Sequence, residues 1–108
     1  MNEATKILIA DDDPVTRLIL QTALTKWGYQ VLAACDGDEA WKILEQPSSP
    51  QLAILDWMMP GLDGVQLCLA LRKREVEPYV YAILLTAKSD KKEIAQGLEA
   101  GADDYLTK

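Results

Sequence analysis

Leu52-Ala53-Ile54-Leu55-Asp56-Trp57-Met58-Met59-Pro60-Gly61 is the stretch whose reading decides the fold. It opens on an unbroken apolar run, the pattern of a strand buried on both faces, and then passes through a carboxylate into a Pro-Gly turn. Doubly buried strands belong to parallel sheets, and in an open α/β sheet ligands bind in the crevice outside the carboxyl ends of the strands. Asp56 would stand at the mouth of such a crevice and is the candidate reactive group.

Three other short strands end in a similar way. Lys6-Ile7-Leu8-Ile9-Ala10 runs into Asp11, Asp12 and Asp13, Val80 to Leu85 runs into Thr86, and Tyr105-Leu106-Thr107 delivers Lys108. If the strands are parallel, acids, a hydroxyl and an ammonium converge on one rim.

Helical patterns separate these strands. Asp13-Pro14 reads as an N-cap with proline at the first helical position; Val15, Leu18, Ile19, Ala23 and Trp27 follow at helical spacing, and Gly28 is the stop. After a strand at Tyr29 to Ala34, Asp36 with Glu39 caps a helix carrying Ala40, Ile43 and Leu44, which Pro47-Ser48-Ser49-Pro50 closes. Asp63 is a loop acid that caps the next helix, Val65 to Arg74, with Cys68, Leu69 and Leu71 as core and Arg72, Lys73 and Arg74 at a solvated end that complements the helix dipole. Asp90, with Glu93 three positions on, caps a last helix whose apolar face is Ile94, Ala95 and Leu98 and whose stop is Gly101.

Strands alternating with helices through right-handed crossovers give an α/β fold, a parallel sheet covered on both faces. At this length the expected architecture is flavodoxin-like and doubly wound, with strand order 2-1-3-4-5. The chain reaches Lys108 at the end of the last strand with no final helix after it. The expectation is therefore one domain over residues 1–108, truncated after the last strand, either a fragment of a longer protein or a chain whose gap another chain covers.

At 108 residues there is room for one small core. The net charge of -6 argues against direct nucleic-acid or anionic-membrane binding and favours a cationic partner or a divalent cation. Apolar runs are far shorter than the ~20 residues of a membrane helix, and Met1-Asn2-Glu3 leads into no signal-like segment, so a cytoplasmic protein is expected. Cys35 and Cys68 lack metal-ligand spacing and read as small buried thiols, while Trp27, Trp41 and Trp57 read as packing residues. The absence of histidine removes Ser-His and Cys-His catalysis and the usual zinc ligands.

Carboxylates crowded on a rim repel one another unless a cation sits between them, and magnesium, which takes oxygen ligands and keeps waters, suits them. With phosphate present, Thr86 can donate a hydrogen bond, Lys108 can neutralise charge, and Asp56 can act as the nucleophile.

The chain resembles the response-regulator receiver domains of two-component signalling, the family of the bacterial chemotaxis regulator. The resemblance rests on Ile7-Leu8-Ile9-Ala10-Asp11-Asp12-Asp13-Pro14, Asp56 to Gly64, Leu84-Leu85-Thr86-Ala87 and Ala100 to Lys108, in that order. It implies that Asp56 takes a phosphoryl group from a sensor histidine kinase or a histidine phosphotransfer protein. It also implies magnesium held by Asp12 and Asp56, by Asp11 through water, and by the backbone carbonyl of Met58. Thr86 and Lys108 would contact the phosphoryl oxygens, and Thr86 and Tyr105 would form the switch that partners read. Met58 and Lys88 hold the positions that tune phosphoryl lifetime in the family, and apolar Met58 is expected to hinder the attacking water. An output domain beyond the C-terminus or a homodimer completes the expected partners, and no enzymatic activity is expected beyond the domain's own phosphorylation and dephosphorylation.

The sequence departs from the family where the proline after the lysine and the final helix are absent. Two rivals compete. A haloacid-dehalogenase-type phosphohydrolase would use Asp11 as nucleophile and Asp103-Asp104 as its acidic pair, but that pair precedes a strand and belongs at the opposite end of the sheet. A degenerate receiver that only binds partners would not need the intact set Asp11, Asp12, Asp56, Thr86 and Lys108.

Overall fold

Five strands and four helices alternate among the described residues, which in this computed structural model are 5–46, 49–74, 79–86 and 91–107. They are β1 (Lys6–Ala10), α1 (Pro14–Lys26), β2 (Gln30–Ala34), α2 (Gly37–Leu44), β3 (Leu52–Asp56), α3 (Gly64–Arg74), β4 (Tyr81–Thr86), α4 (Lys91–Glu99) and β5 (Asp104–Thr107). The strands form one parallel sheet in the order β2-β1-β3-β4-β5, the flavodoxin-like order expected from the sequence.

Burial follows from the sheet's two faces. Successive side chains of a strand point to opposite sides. Leu8 and Ala10 of β1, Ala53 and Leu55 of β3 and Ala82 and Leu84 of β4 face one side, with Ala40 and Leu44 of α2 and Leu67, Cys68 and Leu71 of α3. Ile7, Ile54 and Leu85 face the other, against Leu20 and Leu24 of α1. The central strands are covered on both sides, which is why their sequences are continuous apolar runs.

The helix starts are made by side chains close in sequence. Asp13 accepts the Val15 N–H at 3.1 Å, Asp36 accepts the Glu39 N–H at 2.8 Å, and Asp63 and Gln66 form a reciprocal pair at 2.8 and 2.9 Å. The expected Asp90 cap, Pro47-Ser48 of the closing turn, Lys88 and Lys108 lie outside the described residues.

Two helices, α1 and α4, bury a different side from the one the sequence pattern suggests, and α3 departs from it at one residue. Val15, Leu18, Ile19 and Trp27 of α1 are 61%, 65%, 63% and 71% exposed, and the helix meets the sheet through Leu20 and Leu24 instead. In α3, Cys68 and Leu71 are buried as expected, but Leu69 is exposed and Leu67 is buried in its place. In α4, Ala95 and Leu98 are exposed, Ile94 is half-buried, and the buried residue is Gly97. Helical spacing shows which residues share a side, but each of these helices carries apolar residues on more than one side, so the contact with the sheet decides. For the same reason Trp27 is not a packing residue, whereas Trp41 and Trp57 pack against the core. Cys35 is exposed, against expectation, and only Cys68 is the buried thiol.

The basic end of α3 is also less solvated than expected. Arg72 donates to the Asp103 carboxylate and to the Gly101 carbonyl, each at 2.8 Å, and lies over the Tyr79 ring. Arg74 donates to the Leu44 carbonyl at 3.0 Å and lies over Trp41. Two of the three cations therefore tie α3 to its neighbours.

α2 begins against the loop that follows Asp56. The Gly37 N–H donates to the Pro60 carbonyl at 3.2 Å, and a Cβ on Gly37 would fall 1.7 Å from the Leu62 carbonyl oxygen. That neighbour is backbone and cannot rotate away. Gly37→Ala should therefore separate α2 from this loop and cost about 1–3 kcal/mol of stability, the usual range for overpacking, read as a lowered midpoint in urea unfolding.

Candidate functional site

Parallel pairing sets the level at which each strand ends. Ala10 pairs with Leu55 and Asp56 with Leu85, so the residues that follow, Asp11 and Thr86, emerge beside Asp56 from the two flanking strands. Asp11, Asp56 and Thr86 are 0%, 5% and 3% exposed, and Asp12 is open to solvent. Carboxylate oxygens of Asp11, Asp12 and Asp56 all lie within 4.8 Å of one another.

The surrounding backbone holds this geometry. The Asp11 N–H donates to the Ala34 carbonyl at 3.2 Å, and the Asp11 Oδ1 accepts the Asp13 N–H at 2.9 Å. Beyond Asp56, the Trp57 N–H donates to the Leu85 carbonyl at 2.9 Å, and the Trp57 carbonyl accepts the Gly64 N–H at 3.1 Å.

Like charges at this spacing repel by about 3 kcal/mol per ionised pair at an effective dielectric of 20. A cation among them would reverse the sign. The donor set is hard oxygen throughout, two members buried and one open, with no imidazole or thiolate. That chemistry fits magnesium, which is commonly held by one or two carboxylates with retained water, and does not fit zinc.

The other expected site residues fall as follows. Thr86 closes β4 on the rim and pairs with Thr107, while the ammonium of Lys108 lies outside the described residues. Met58 follows two residues after Asp56, with a side chain 64% exposed. Tyr105 pairs with Leu84 and is partly exposed on β5, the edge strand. Asp103 lies at the opposite end of the sheet, accepting from the Ala82 N–H at 2.8 Å, from Arg72 and from the Tyr79 hydroxyl. This placement removes the acidic pair that the phosphohydrolase alternative needs beside Asp11.

Sequence reading missed Arg17. Its Nη1 donates to the Asp11 carbonyl at 2.7 Å. An arginine in the first turns of an exposed helix has no pattern that marks it, because its partner is set by how the loop folds back. A second group of donor atoms, Cys35, Asp36 and Glu39, surrounds the start of α2. There the Cys35 thiol donates to Glu39 at 3.2 Å, and that bond raises its pKa above the ordinary thiol value. Burial pushes the Cys68 thiol up to about 11. Both cysteines are therefore thiols at neutral pH and weak nucleophiles.

Comparison with known proteins gives a consistent result. The sequence model of the response regulator receiver domain family matches residues 7–108. A probable transcriptional regulator, ycf27, of Porphyridium aerugineum is 48% identical over 103 residues, covering 95% of this chain and 41% of that protein. The alkaline phosphatase synthesis transcriptional regulatory protein PhoP of Bacillus subtilis is 44% identical over 104 residues, covering 95% of this chain and 42% of its own. The chain thus spans about two-fifths of the length of these curated relatives. Among solved structures, the receiver domain of the Francisella response regulator 1452 superposes with a TM-score of 0.87 at 36% identity, covering 96% of this chain and 84% of that one. No helix among the described residues is long and apolar enough to cross a membrane.

The carboxylate geometry makes a prediction with opposite signs in two buffers. Without divalent cations, Asp12→Asn should raise the thermal unfolding temperature by relieving repulsion. With excess magnesium the wild-type chain should gain stability by mass action and overtake the variant, as differential scanning calorimetry would register.

Proposed function

Because the chain belongs to the response regulator receiver domain family, we propose that Asp56 is its phosphoacceptor, taking a phosphoryl group from a phosphohistidine on a sensor kinase or phosphotransfer protein. The observation that carries this reading is the cluster of Asp11, Asp12 and Asp56 oxygens within 4.8 Å, beside a buried threonine at the end of the adjacent strand. A lone buried carboxylate would be an accident of packing. Three acids sharing one small volume need a cation, and a hydroxyl beside them gives a donor for phosphate.

In the proposed step a carboxylate oxygen of Asp56 attacks phosphorus and forms the P–O bond of an aspartyl phosphate. The P–N bond breaks, its electron pair stays on the imidazole nitrogen, and the donor imidazole departs neutral when its other nitrogen already carries a proton. Asp11, Asp12 and Asp56, with the Met58 carbonyl, would hold magnesium, which neutralises charge on the transferring phosphoryl oxygens when bound. Thr86 donates its hydroxyl hydrogen to one phosphoryl oxygen, and Lys108, next after Thr107 on β5, pairs its ammonium with another. The burial of Asp56 and Thr86 limits access of water to the acyl phosphate.

Phosphorylation is then read at a distance from the acceptor. Thr86 is drawn toward the new anion, and Tyr105, partly exposed two residues before β5 reaches Thr107, changes its packing in the space released. The reader would be an output domain or a second copy of the chain. The relatives are named as transcriptional regulators, which supports an output in gene control for a longer protein.

Incubation with acetyl phosphate and magnesium should add the mass of one phosphoryl group. Tandem mass spectrometry should map it to Asp56, and Asp56→Asn should abolish it. A label on Asp11 would favour the phosphohydrolase reading, and no label on the wild type would favour a binding module. Met58→Asn should shorten the half-life of the aspartyl phosphate severalfold, because the exposed thioether beside the acceptor hinders the water that an amide would help to orient. An unchanged rate of phosphate release would dispose of that role.

A further inference from the structure

The β1–α1 loop carries two of the three clustered carboxylates, and hydrogen bonds to β2 and α1 bear on its conformation. Asp13 is occupied with α1, its carboxylate accepting from the Val15 N–H at 3.1 Å and from the Thr16 hydroxyl at 2.6 Å. The Asp11 peptide N–H is tied to β2 through the Ala34 carbonyl at 3.2 Å. The Asp11 peptide carbonyl accepts from Arg17 at 2.7 Å. That bond spans six residues of chain and joins the peptide between Asp11 and Asp12 to the second turn of α1. Arg17 also lies near enough to Cys35 for its charge to oppose the rise in that thiol's pKa, after the larger effects of Glu39 and burial. Its half-buried side chain reaches from α1 back to the β1–α1 loop.

We propose that Arg17 is a positioning residue for the cation site: by holding the Asp11 carbonyl, it fixes the rotation of the Asp11–Asp12 peptide and so aims both carboxylates at the point they share with Asp56. The inference rests on the reading of that cluster as a magnesium site and adds to it a residue that touches neither cation nor phosphoryl group. A carboxylate constellation must be held to about 0.5 Å to coordinate well, and an unanchored peptide plane can rotate by more than that allows. A guanidinium suits the task because it stays charged at every working pH and donates in a fixed plane. Its charge acts in the opposite direction. A positive group near the site repels an incoming cation, so a residue acting through charge alone would weaken binding by its presence. Geometry and charge therefore predict changes of opposite sign when Arg17 is removed.

The test is magnesium titration of the whole chain, followed by calorimetry and by Trp57 fluorescence in a Trp27→Phe, Trp41→Phe background. Labelling by acetyl phosphate is then measured as a function of magnesium concentration. Arg17→Met should weaken magnesium binding about tenfold or more, in the range found for residues that orient metal ligands. The magnesium midpoint of labelling should shift upward by the same factor, while the labelling rate at saturating magnesium returns close to that of the wild type. Arg17→Lys, which keeps the charge and one donor, should recover most of the affinity. A merely structural role would lower the saturating rate and leave the midpoint alone, and that outcome overturns the proposal. So does an Arg17→Met chain that binds magnesium as well as the wild type or more tightly, or an Arg17→Lys chain no better than Arg17→Met. A wild-type chain that binds magnesium but takes no label would sink the phosphoacceptor reading while the titration still judges Arg17. A wild-type chain that binds no magnesium would sink both.

Discussion

The structure depends on the parallel register of β1 against β3. Pairing Ala10 with Leu55 leaves Asp11 and Asp56 at the same level on adjacent strands, although both are acids and both are buried. Nothing in their mutual electrostatics favours this. What holds them is the apolar sequence behind them: Ile7, Leu8, Ile9 and Ala10 on one strand and Ala53, Ile54 and Leu55 on the other, buried against helices on both sides of the sheet. A slip of one residue would turn every one of these side chains to the opposite face, where the helices are packed for others, and misfit of this kind costs about 1–3 kcal/mol at each site. That sum outweighs a repulsion of a few kcal/mol. The core thus keeps charges together that would otherwise separate, and the resulting negative potential at the strand ends is available to a cation.

The two ends of the sheet use acids in different ways. At the amino ends, Asp103 meets Arg72 at 2.8 Å and also accepts from the Ala82 N–H and the Tyr79 hydroxyl. Its charge is matched there, and the assembly joins α3, β4 and the start of β5. At the carboxyl ends carboxylates of three acids lie close together, and the Arg17 guanidinium goes to a backbone carbonyl. The acid that braces elements at one end and the acids clustered at the other make the two ends of the sheet electrostatically unlike. The bracing also explains why α3 can carry three consecutive cations without fraying into solvent.

The faces of the sheet are equally unlike. α2 and α3 bury several residues each, whereas α1 buries none completely and leaves Val15, Leu18 and Ile19 in solvent. A shallow apolar groove runs beside it, lined by Thr16, Ile19, Leu20, Leu85, Leu106 and Thr107. Because Leu85 precedes Thr86 and Thr107 pairs with it, this groove adjoins the rim that carries the acids.

Much of this was legible in the amino-acid order because it depends on neighbours along the chain. Continuous apolar runs marked β1, β3 and β4, and Asp13, Asp36 and Asp63 marked helix starts through bonds to amides two or three residues away. Alternation of elements implied a parallel sheet with residues 11, 12 and 56 at one end, and the short length favoured the flavodoxin-like strand order that is observed. Tertiary structure alone decided which side of α1 and α4 meets the sheet, that Leu69 of α3 stays exposed, that Cys35 is exposed while Cys68 is not, and that Arg17, Arg72 and Arg74 bind backbone or acid. The physical reason is range. A cap or a strand pattern is settled by groups a few residues apart, whereas the partner of a long cation, or the choice between two apolar sides of a helix, is settled by whichever element packs beside it.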